Sequence, residues 1–414
     1  MQNRRYIYIS GLMNNPVIKS QVLNWLEVLQ QRGIVFDLMC CIPLHYLIMN
    51  WNSEHRELIS YSKVLQGNIY IVPIFRSKTK YNLISTFIKG LFLYWYSVIK
   101  NPGTDSVVIQ TRSFFNFPAL KLVKGWLSNI KVIYDMRGSA SAEYLNSFGI
   151  NSESDLEQEN QIKKLNSIVK SERDMIDFSD RTFCVSNNLK QYVLNQNKSI
   201  NADKLTVIPG GADKNVFFYD AQLSAKIRQK LRLSDKQVFV YCGRLTHYWH
   251  KSELIFQYAS VLLEKHPDMF FICMTKDIGK ANELMEINNI DQNKVLCKFS
   301  ESPSEINEIY NAADFGILFR DEILTNKVAS PTKLAEYLLA GLPVLISREV
   351  GDYSELVSKY KFGVVTSNNL AEFVSVSEEK FYKEADRTEI SDYAAKHLSK
   401  QAIVETIISE YSAL

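Results

Sequence analysis

The sequence lacks a long hydrophobic run, a cysteine pattern for metal binding and a glycine-rich dinucleotide turn. Its longest apolar stretch, residues 91–99, is far shorter than the roughly 20 residues that cross a membrane. The six cysteines are scattered without metal-ligand spacing, which is typical of reduced thiols in a cytoplasmic protein. Because no Gly-x-Gly-x-x-Gly turn follows a strand, a dinucleotide-dependent oxidoreductase is disfavoured.

What is present describes a globular chain that is large enough for two domains. It has 414 residues, of which 46% are hydrophobic and 22% charged, and its net charge of +3 indicates no particular partner. Residues 6–9 are too few for the apolar core of a signal peptide and predict a first strand instead. We therefore expect a protein that is free in the cytoplasm or attached to the inner face of a membrane.

Apolar runs and amphipathic stretches alternate along the chain, which predicts an α/β fold of two doubly wound, Rossmann-like domains. Long helices are expected at residues 153–178 and 392–411. The predicted strands of the first half are 6–9, 34–40, 107–110, 131–135 and 181–185, and residues 205–211 close this half. Those of the second half are 237–242, 269–275, 295–299, 315–319 and a run that begins at Pro343.

The expected domains are residues 1–211 and 212–395, with a polar linker at the start of the second. We expect the helix of residues 396–414 to pack back on the first domain. Two domains of this kind face each other across a cleft, and ligands bind there at the carboxyl ends of the strands.

A proline-containing helix start forms the strongest candidate site. Ser330 or Thr332 can cap this helix, and Pro331 is tolerated in its first turn. Free amide groups at a helix start, with Lys333 beside them, suit a phosphate. Glu336 lies about one turn further and can accept hydrogen bonds from a ribose. An ordinary crossover helix with a surface lysine and glutamate is the alternative.

Two basic residues follow the strand predicted at 237–242. Arg244 lies just beyond the strand end, after Gly243, which permits a close approach to the backbone, and Lys251 follows near a helix start. A guanidinium and an ammonium at the mouth of one sheet form a cation set for a diphosphate. Taken singly, each is also explained as an ordinary surface charge.

These motifs resemble the donor-binding half of glycosyltransferase family 4. The likeness spans nearly the whole chain and is strongest from residue 182 to 346. The matching segments of the second half are Cys242-Gly243-Arg244-Leu245, Lys251, Ser330-Pro331-Thr332-Lys333-Leu334-Ala335-Glu336-Tyr337 and Ala340-Gly341-Leu342-Pro343-Val344. Those before the linker are Val185-Ser186-Asn187-Asn188-Leu189 and Val207-Ile208-Pro209-Gly210-Gly211-Ala212-Asp213.

The resemblance implies a retaining enzyme of the two-domain GT-B fold. It transfers a sugar from a nucleotide-diphosphate donor, here expected to be a UDP-sugar, to a hydroxyl of a glycan or lipid-linked glycan in surface polysaccharide synthesis. No cofactor and no metal are expected, and the sequence has no Asp-x-Asp pair.

The resemblance also implies roles for individual residues. Arg244 and Lys251 would hold the donor diphosphate, and Glu336 the ribose hydroxyls. The helix start formed by Pro331, Thr332 and Lys333 would cradle a phosphate, with Gly243 and Gly11 close to the donor.

One position departs from the family pattern, which commonly has two glutamates eight residues apart. The position of the first glutamate, eight residues before Glu336, is occupied by Val328. Asp321 or Glu322 in the same loop can substitute for it. The contacts to the donor sugar therefore cannot be carried over directly.

Residues of the first domain are candidates for the acceptor side. Asp135 follows a strand and can orient the acceptor hydroxyl, and Arg137 can meet a phosphate. A structural Asp135–Arg137 pair that fixes the loop is the alternative. Ser10 and Gly11 form the first strand-to-helix turn, which either admits a ligand or is simply tight. Glu143 is a further acceptor-side candidate.

Residues 76–131 are basic and rich in aromatic residues, which favours contact with an anionic membrane surface. An aromatic core beneath an ordinary solvated face is the alternative, and no nucleic-acid-binding motif accompanies the charge. The charged residues of this stretch are Arg76, Lys78, Lys80, Lys89, Lys100, Asp105, Arg112, Lys121, Lys124 and Lys131.

Two rival functions share most of these features. An NDP-sugar epimerase of the same fold would act on a sugar nucleotide without an acceptor and would need no basic aromatic face. A non-catalytic sugar-nucleotide-binding protein is the other rival, since Val328 replaces an expected acid.

Overall fold

The computed structural model of the protein describes residues 3–13, 18–75, 82–246 and 250–414, and within them the chain forms two parallel β-sheets. The first sheet has the strand order β3-β2-β1-β4-β5-β6-β7. Its strands are β1 (Arg4–Ser10), β2 (Phe36–Pro43), β3 (Ile69–Ile74), β4 (Ser106–Thr111), β5 (Ile130–Met136), β6 (Arg181–Cys184) and β7 (Leu205–Val207).

The second sheet has the strand order β10-β9-β8-β11-β12-β13, and the predicted α/β fold of two doubly wound domains is confirmed. Two of its strands, β10 and β13, form its edges. The strands are β8 (Gln237–Cys242), β9 (Met269–Met274), β10 (Val295–Lys298), β11 (Phe315–Leu318), β12 (Val344–Ser347) and β13 (Gly363–Thr366).

Helices cover the faces of both sheets. The helices of the first half are α1 (Asn24–Gln31), α2 (Leu44–Met49), α3 (Trp51–Ser62), α4 (Leu83–Trp95), α5 (Phe117–Trp126), α6 (Ala140–Asn146), α7 (Glu159–Phe178) and α8 (Asn187–Gln196). Those of the second half are α9 (Ala221–Lys230), α10 (Ser252–Lys265), α11 (Ile278–Ile287), α12 (Pro303–Ala312), α13 (Leu324–Lys327), α14 (Thr332–Leu339), α15 (Tyr353–Tyr360), α16 (Leu370–Glu378), α17 (Arg387–His397) and α18 (Lys400–Ser412). None of the described helices is long and apolar enough to cross a bilayer.

The strand β8 shows why these residues form a parallel sheet with helices on both faces. Val238 and Val240 belong to one hydrophobic cluster, and Phe239 and Tyr241 belong to another, so successive side chains enter opposite layers. All four are essentially buried. A strand that is apolar on both faces is stable only between two layers of helices.

Three sequence-based bounds are wrong. The strand predicted at 34–40 is observed at Phe36–Pro43 (β2). Residues 33 and 34 still belong to the end of α1: Gly33 has a φ of +81°, and the Ile34 amide donates to the carbonyl of Leu29. The helix predicted at 153–178 begins only at Glu159, because Leu156 is extended after a single turn.

The helix predicted at 392–411 is in fact two helices, which separate at Leu398 and Ser399. The Ser399 hydroxyl accepts a hydrogen bond from the Ala402 amide and so starts α18 anew. This last helix packs against the first domain: Val404 lies in its core, and the Tyr411 hydroxyl donates to Gln110 at 2.6 Å.

The segments before the linker contact the loop that precedes α14. The Ser186 hydroxyl donates to the carbonyl of Val328 at 2.7 Å, and the Gly210 amide donates to the Ser330 hydroxyl at 2.8 Å. A Cβ on Gly210 would lie only 2.6 Å from the Ser330 carbonyl oxygen, so glycine is required for this approach. These contacts from the first domain fix the position at which α14 begins.

Candidate active site

The candidate donor residues lie at the carboxyl edge of the second sheet. Strands β8 and β11 are neighbours there, and the helices α10 and α14 both begin at this edge because each follows a strand of the parallel sheet. Arg244 follows β8, Lys251 directly precedes α10, and Lys333 and Glu336 lie in α14. The topology therefore brings these residues to one edge of one domain.

Arg244 is held by a carboxylate from the next strand loop. Its Nη2 lies 2.7 Å from Asp277 Oδ1, and its Nε lies within 2.9 Å of both carboxylate oxygens. Asp277 also accepts from the Leu245 amide at 2.7 Å. The hydrogen bond from Arg244 lowers the pKa of Asp277 to about 2, so the pair stays ionised at neutral pH. About half of the Arg244 side chain remains exposed at this edge.

Gly243 has a structural role that the sequence analysis did not identify. A Cβ at this position would lie 2.8 Å from the hydroxyl of Tyr241, which donates to the Arg244 carbonyl at 2.7 Å. Position 243 thus needs a glycine because the Tyr241 side chain of the same strand lies against it. The hydrogen bond from Tyr241 fixes the backbone of Arg244.

Lys251 contacts one of the two acids considered as substitutes for the missing glutamate. Its Nζ lies 2.5 Å from Asp321 Oδ1, and its amide donates to the carbonyl of Phe319, which ties the start of α10 to the end of β11. Val328, at the position of the missing glutamate, is buried in the core of the first domain. Glu322 is exposed beside Asp321.

The start of α14 differs from the sequence-based prediction, because neither Ser330 nor Thr332 caps it. The N-cap residue is Pro331, and no side chain accepts a hydrogen bond from the first turn. The Ser330 hydroxyl instead accepts from the Gly210 amide and donates to Tyr353. Among the described residues no group accepts from the Thr332 and Lys333 amides, which leaves two donors at the positive end of the helix dipole.

Glu336 lies one turn into α14 and is held from two sides. Lys333 Nζ donates to its Oε2 at 2.7 Å, and the Tyr310 hydroxyl donates to the same oxygen at 3.2 Å. Its other oxygen, Oε1, is in no hydrogen bond with the described residues. This arrangement leaves an acceptor atom available for a ligand hydroxyl.

The structure therefore brings part of the predicted set into direct contact. Lys333 and Glu336 are bonded to each other, whereas Arg244 and Lys251 are each bonded to another acid and contact neither of them. Among the described residues, no group of three side chains is arranged to hold a metal ion.

Lys400 is a basic residue near this site that the sequence analysis missed. It is the first residue of α18, only 4% exposed, with its Nζ 5.7 Å from the ring centre of Trp25. Burial lowers its pKa to about 8, against the fields of Asp213 and Glu336, which raise it. No local sequence pattern signals this residue, because Trp25, Asp213 and Glu336 come from three separate segments of the chain.

In the first domain, Asp135 and Arg137 form a buried ion pair. Arg137 Nε lies 2.6 Å from Asp135 Oδ1, and the Tyr8 hydroxyl donates to Asp135 Oδ2 at 3.2 Å. The Asp135 side chain is 3% exposed and that of Arg137 14%. This geometry favours the alternative in which the pair fixes the loop after β5, since little of either side chain reaches solvent.

Ser10, Gly11 and Glu143 lie at the carboxyl edge of the first sheet. Ser10 ends β1, and a Cβ on Gly11 would meet no described atom within 4 Å, so packing does not explain this glycine. Glu143 lies in the first turn of α6, and its Oε1 lies close to Gly138. A Cβ on Gly138 would be only 3.0 Å from this oxygen. Burial raises the pKa of Glu143, and Arg112 opposes that shift.

Glu172 lies beneath this edge and was not identified from the sequence. It is 6% exposed, and its Oε1 accepts from the Ala140 amide at 3.3 Å and from the Tyr134 hydroxyl at 3.4 Å. Burial raises its pKa to about 7. An isolated glutamate in the middle of α7 gives no sequence signal of such burial.

The raised pKa of Glu172 predicts a pH-dependent stability. Below the ordinary value of 4.5 the carboxyl is protonated in the folded and unfolded chain alike. As the pH rises to about 7, the unfolded chain loses the proton first, which costs the fold about 3 kcal/mol. We expect Glu172→Gln to raise the melting temperature by several degrees at pH 8 and to leave it unchanged at pH 4.5.

The control for this experiment is Glu159→Gln, which changes an exposed glutamate of the same helix. It is expected to shift the melting temperature at neither pH. An equal effect of Glu172→Gln at both pH values, measured by differential scanning fluorimetry, would contradict the assigned burial of a titrating carboxyl.

Comparison with known proteins gives one curated relative and many similar structures. No protein-family model matches the chain. The chain is 23% identical over 279 residues to TuaH of Bacillus subtilis (strain 168), a protein assigned by inference to teichuronic acid biosynthesis as a glycosyltransferase. The match covers 66% of this chain and 64% of TuaH, which is less than two thirds of that relative.

The similar structures cover the whole chain. HepE of Anabaena in complex with UDP is 12% identical with a TM-score of 0.67, covering 99% of this chain and 100% of HepE; HepE has also been solved with UDP-glucose. A glycosyltransferase from Rickettsia africae ESF-5 is 16% identical with a TM-score of 0.68, covering 99% of this chain and 98% of that one. The chain therefore has the GT-B fold, the arrangement of two parallel-sheet domains found in glycosyltransferases.

Proposed function

We propose that the protein is a retaining glycosyltransferase. In this proposal it moves a sugar from a UDP-sugar to a hydroxyl of a glycan or lipid-linked glycan in surface polysaccharide synthesis. The observation that carries the proposal is the uncapped start of α14, one turn from Glu336, at the sheet edge that also bears Arg244 and Lys251. The structures of HepE with UDP and UDP-glucose support the donor class, and TuaH supports the pathway.

The donor diphosphate is assigned to two charged side chains and two amides. Asp277 contacts the Nε and Nη2 atoms of Arg244, so Nη1 can bind a phosphate oxygen without breaking that pair. Lys251 adds a second positive charge from the start of α10. The amides of Thr332 and Lys333 bind a further phosphate oxygen, as helix starts do.

The nucleoside is assigned to Glu336. Its Oε2 is already occupied by Lys333 and Tyr310, which orient the carboxylate, and its Oε1 accepts from the ribose hydroxyls. Hydrogen bonds to a carboxylate are about twice as strong as those between neutral groups. The uridine diphosphate is thus held at both ends of its ribose-phosphate unit.

The reaction exchanges one bond at the anomeric carbon of the sugar. The bond from C1 to the β-phosphate oxygen breaks, and a bond from C1 to the acceptor oxygen forms on the same face. The acceptor proton passes to the departing phosphate oxygen, so no strong protein base is required. Arg244 and Lys251 stabilise the charge that develops on the leaving diphosphate. This assigns the charge neutralisation to the protein, without a metal ion.

The acceptor is assigned to the carboxyl edge of the first sheet. Ser10 ends β1, Gly11 follows it where the structure leaves space, and Glu143 lies in the first turn of α6. Asp135 and Arg137 are assigned a positioning role, because their buried ion pair holds the loop between β5 and α6.

A thermal-shift screen against UDP-, GDP- and ADP-sugars tests the proposed donor class. A ligand that binds only the folded state raises the melting temperature, and we expect a rise of several degrees with UDP-sugars at about 100 times the dissociation constant. Transfer is then assayed with EDTA present, and the anomeric configuration of the product is read by proton NMR. Intact protein that no sugar nucleotide stabilises would overturn the proposal, and an inverted product would overturn its retaining mechanism.

A further inference from the structure

The helix α4 is apolar on its outer side as well as on its inner side, where Leu93 is buried in the core. Its exposed large side chains are all apolar or aromatic: Leu83, Ile84, Phe87, Leu91, Tyr94 and Trp95. They recur every three to four residues and therefore share the outer side of the helix. Isolated exposed apolar residues are common, but a continuous apolar side marks a contact surface.

The inner side of α4 is fixed by specific contacts that settle which way the helix faces. The buried Ser85 hydroxyl accepts from the Phe75 amide at 2.8 Å and donates to its carbonyl at 2.6 Å. Lys89 is only 9% exposed, and its Nζ donates to Asn116 at 2.8 Å. A Cβ on Gly90 would lie 2.8 Å from Leu122 of α5, so the two helices pack closely at this glycine.

These contacts also show that the apolar surface extends beyond α4. Phe75, which bonds to Ser85, is 46% exposed, and Phe115, next to the residue that binds Lys89, is 61% exposed. Trp126 of α5 is 43% exposed and meets Tyr94 edge-on at 5.9 Å between ring centres. We define the α4 face as the exposed apolar residues of α4 together with Phe75, Phe115 and Trp126.

The charge of the surrounding chain favours one kind of partner. Residues 58–134 contain ten lysines and arginines and a single acid, Asp105. Three of the basic residues, Arg76, Lys78 and Lys80, fall in the sequence between Phe75 and α4 but lie outside the described residues. Aromatic side chains next to lysines and arginines are the composition of segments that rest at the interface of an anionic bilayer.

We propose that the α4 face docks on the surface of an anionic lipid bilayer. The outer side of α4 enters the headgroup boundary, and the exposed basic residues Lys100 and Lys121 bind lipid phosphates. The helix α4 begins at the carboxyl edge of the first sheet, because it follows the parallel strand β3. The acceptor edge of the first domain therefore lies close to the bilayer when the α4 face is seated on it.

Vesicle flotation of the full chain tests this proposal without any sugar donor or acceptor, so its outcome is independent of the proposed activity. The probes are vesicles of phosphatidylcholine alone and of phosphatidylcholine with about 30% phosphatidylglycerol. We expect binding to the anionic vesicles that is weakened by 0.5 M salt, because salt screens the attraction between the basic side chains and the lipid phosphates. Binding that requires no anionic lipid would overturn the electrostatic part of the proposal.

The variant Phe87→Ser/Leu91→Ser removes two apolar side chains from the outer side of α4. It is expected to bind anionic vesicles at least tenfold more weakly, with an unchanged melting temperature because both residues are exposed. The control is Val169→Ser/Ile287→Ser, which changes two exposed aliphatic residues elsewhere and should bind like the unaltered protein.

Two results would overturn the assignment of this face to lipid. One is wild-type protein that does not float with anionic vesicles. The other is a dimer in size-exclusion chromatography that Phe87→Ser/Leu91→Ser converts to a monomer, which would assign the α4 face to a second copy of the chain.

Discussion

Replacing Arg244 and Lys251 together by alanine is expected to lower the affinity for a UDP-sugar at least a hundredfold. A hydrogen bond to a charged group contributes about 1.5–3 kcal/mol, and the double variant removes two such contacts to the diphosphate. Each residue also loses an ion pair. That of Lys251 with Asp321 is partly exposed and contributes little to stability, whereas that of Arg244 involves Asp277, whose side chain is 9% exposed. The melting temperature of the double variant shows whether the fold is kept.

The affinity is measured by titration calorimetry with UDP and with uridine. Because uridine has no phosphate, its weaker binding should be unaffected by the double variant. The matched control is Lys236→Ala/Lys265→Ala, which removes two paired lysines at the start of β8 and the end of α10, on the opposite edge of the sheet. Equal losses in both double variants would remove Arg244 and Lys251 from the proposed site.

Replacing Glu336 by alanine is expected to lower transfer by two orders of magnitude or more. The change removes the acceptor for the ribose hydroxyls and leaves Lys333 beside Tyr310 without its carboxylate. Leaving a buried or half-buried charge without its partner also destabilises the fold, by a few kcal/mol at most, since the Lys333 side chain is 28% exposed. Glu336→Gln keeps the shape of the side chain and so separates the loss of transfer from the loss of stability.

The ligand itself supplies the decisive comparison for Glu336. We expect the unaltered protein to bind UDP at least tenfold more tightly than 2′,3′-dideoxy-UDP, which lacks the hydroxyls assigned to this carboxylate. Glu336→Ala should bind the two nucleotides equally, whereas the control Glu378→Gln, in an exposed pair with Lys265, should discriminate like the wild type. Preserved discrimination in Glu336→Ala would assign the ribose to another residue.

The fold was predictable because most strands are recognisable in the sequence as apolar runs between helical stretches. The strand β8 has the predicted bounds to the residue. The strand β3 was missed because Pro73 interrupts its apolar run, and a proline is tolerated there because β3 forms the edge of the sheet. The break at Ser399 was missed because no glycine or proline marks it.

The site was predictable only where its residues are neighbours in the sequence. Lys333 and Glu336 are three residues apart on one helix, so their contact follows from helical geometry. The partner of Arg244, Asp277, is 33 residues away, and Lys400 reaches the site only because α18 returns to the first domain. Contacts of this kind depend on the tertiary structure, which no local pattern encodes.

A crystal structure of the protein with UDP tests the central claim most directly. The account predicts the diphosphate at the amides of Thr332 and Lys333, with Arg244 and Lys251 on its oxygens and the ribose hydroxyls on Glu336. Clear density for UDP that lies elsewhere, with these side chains still bonded only to Asp277, Asp321 and each other, would contradict it.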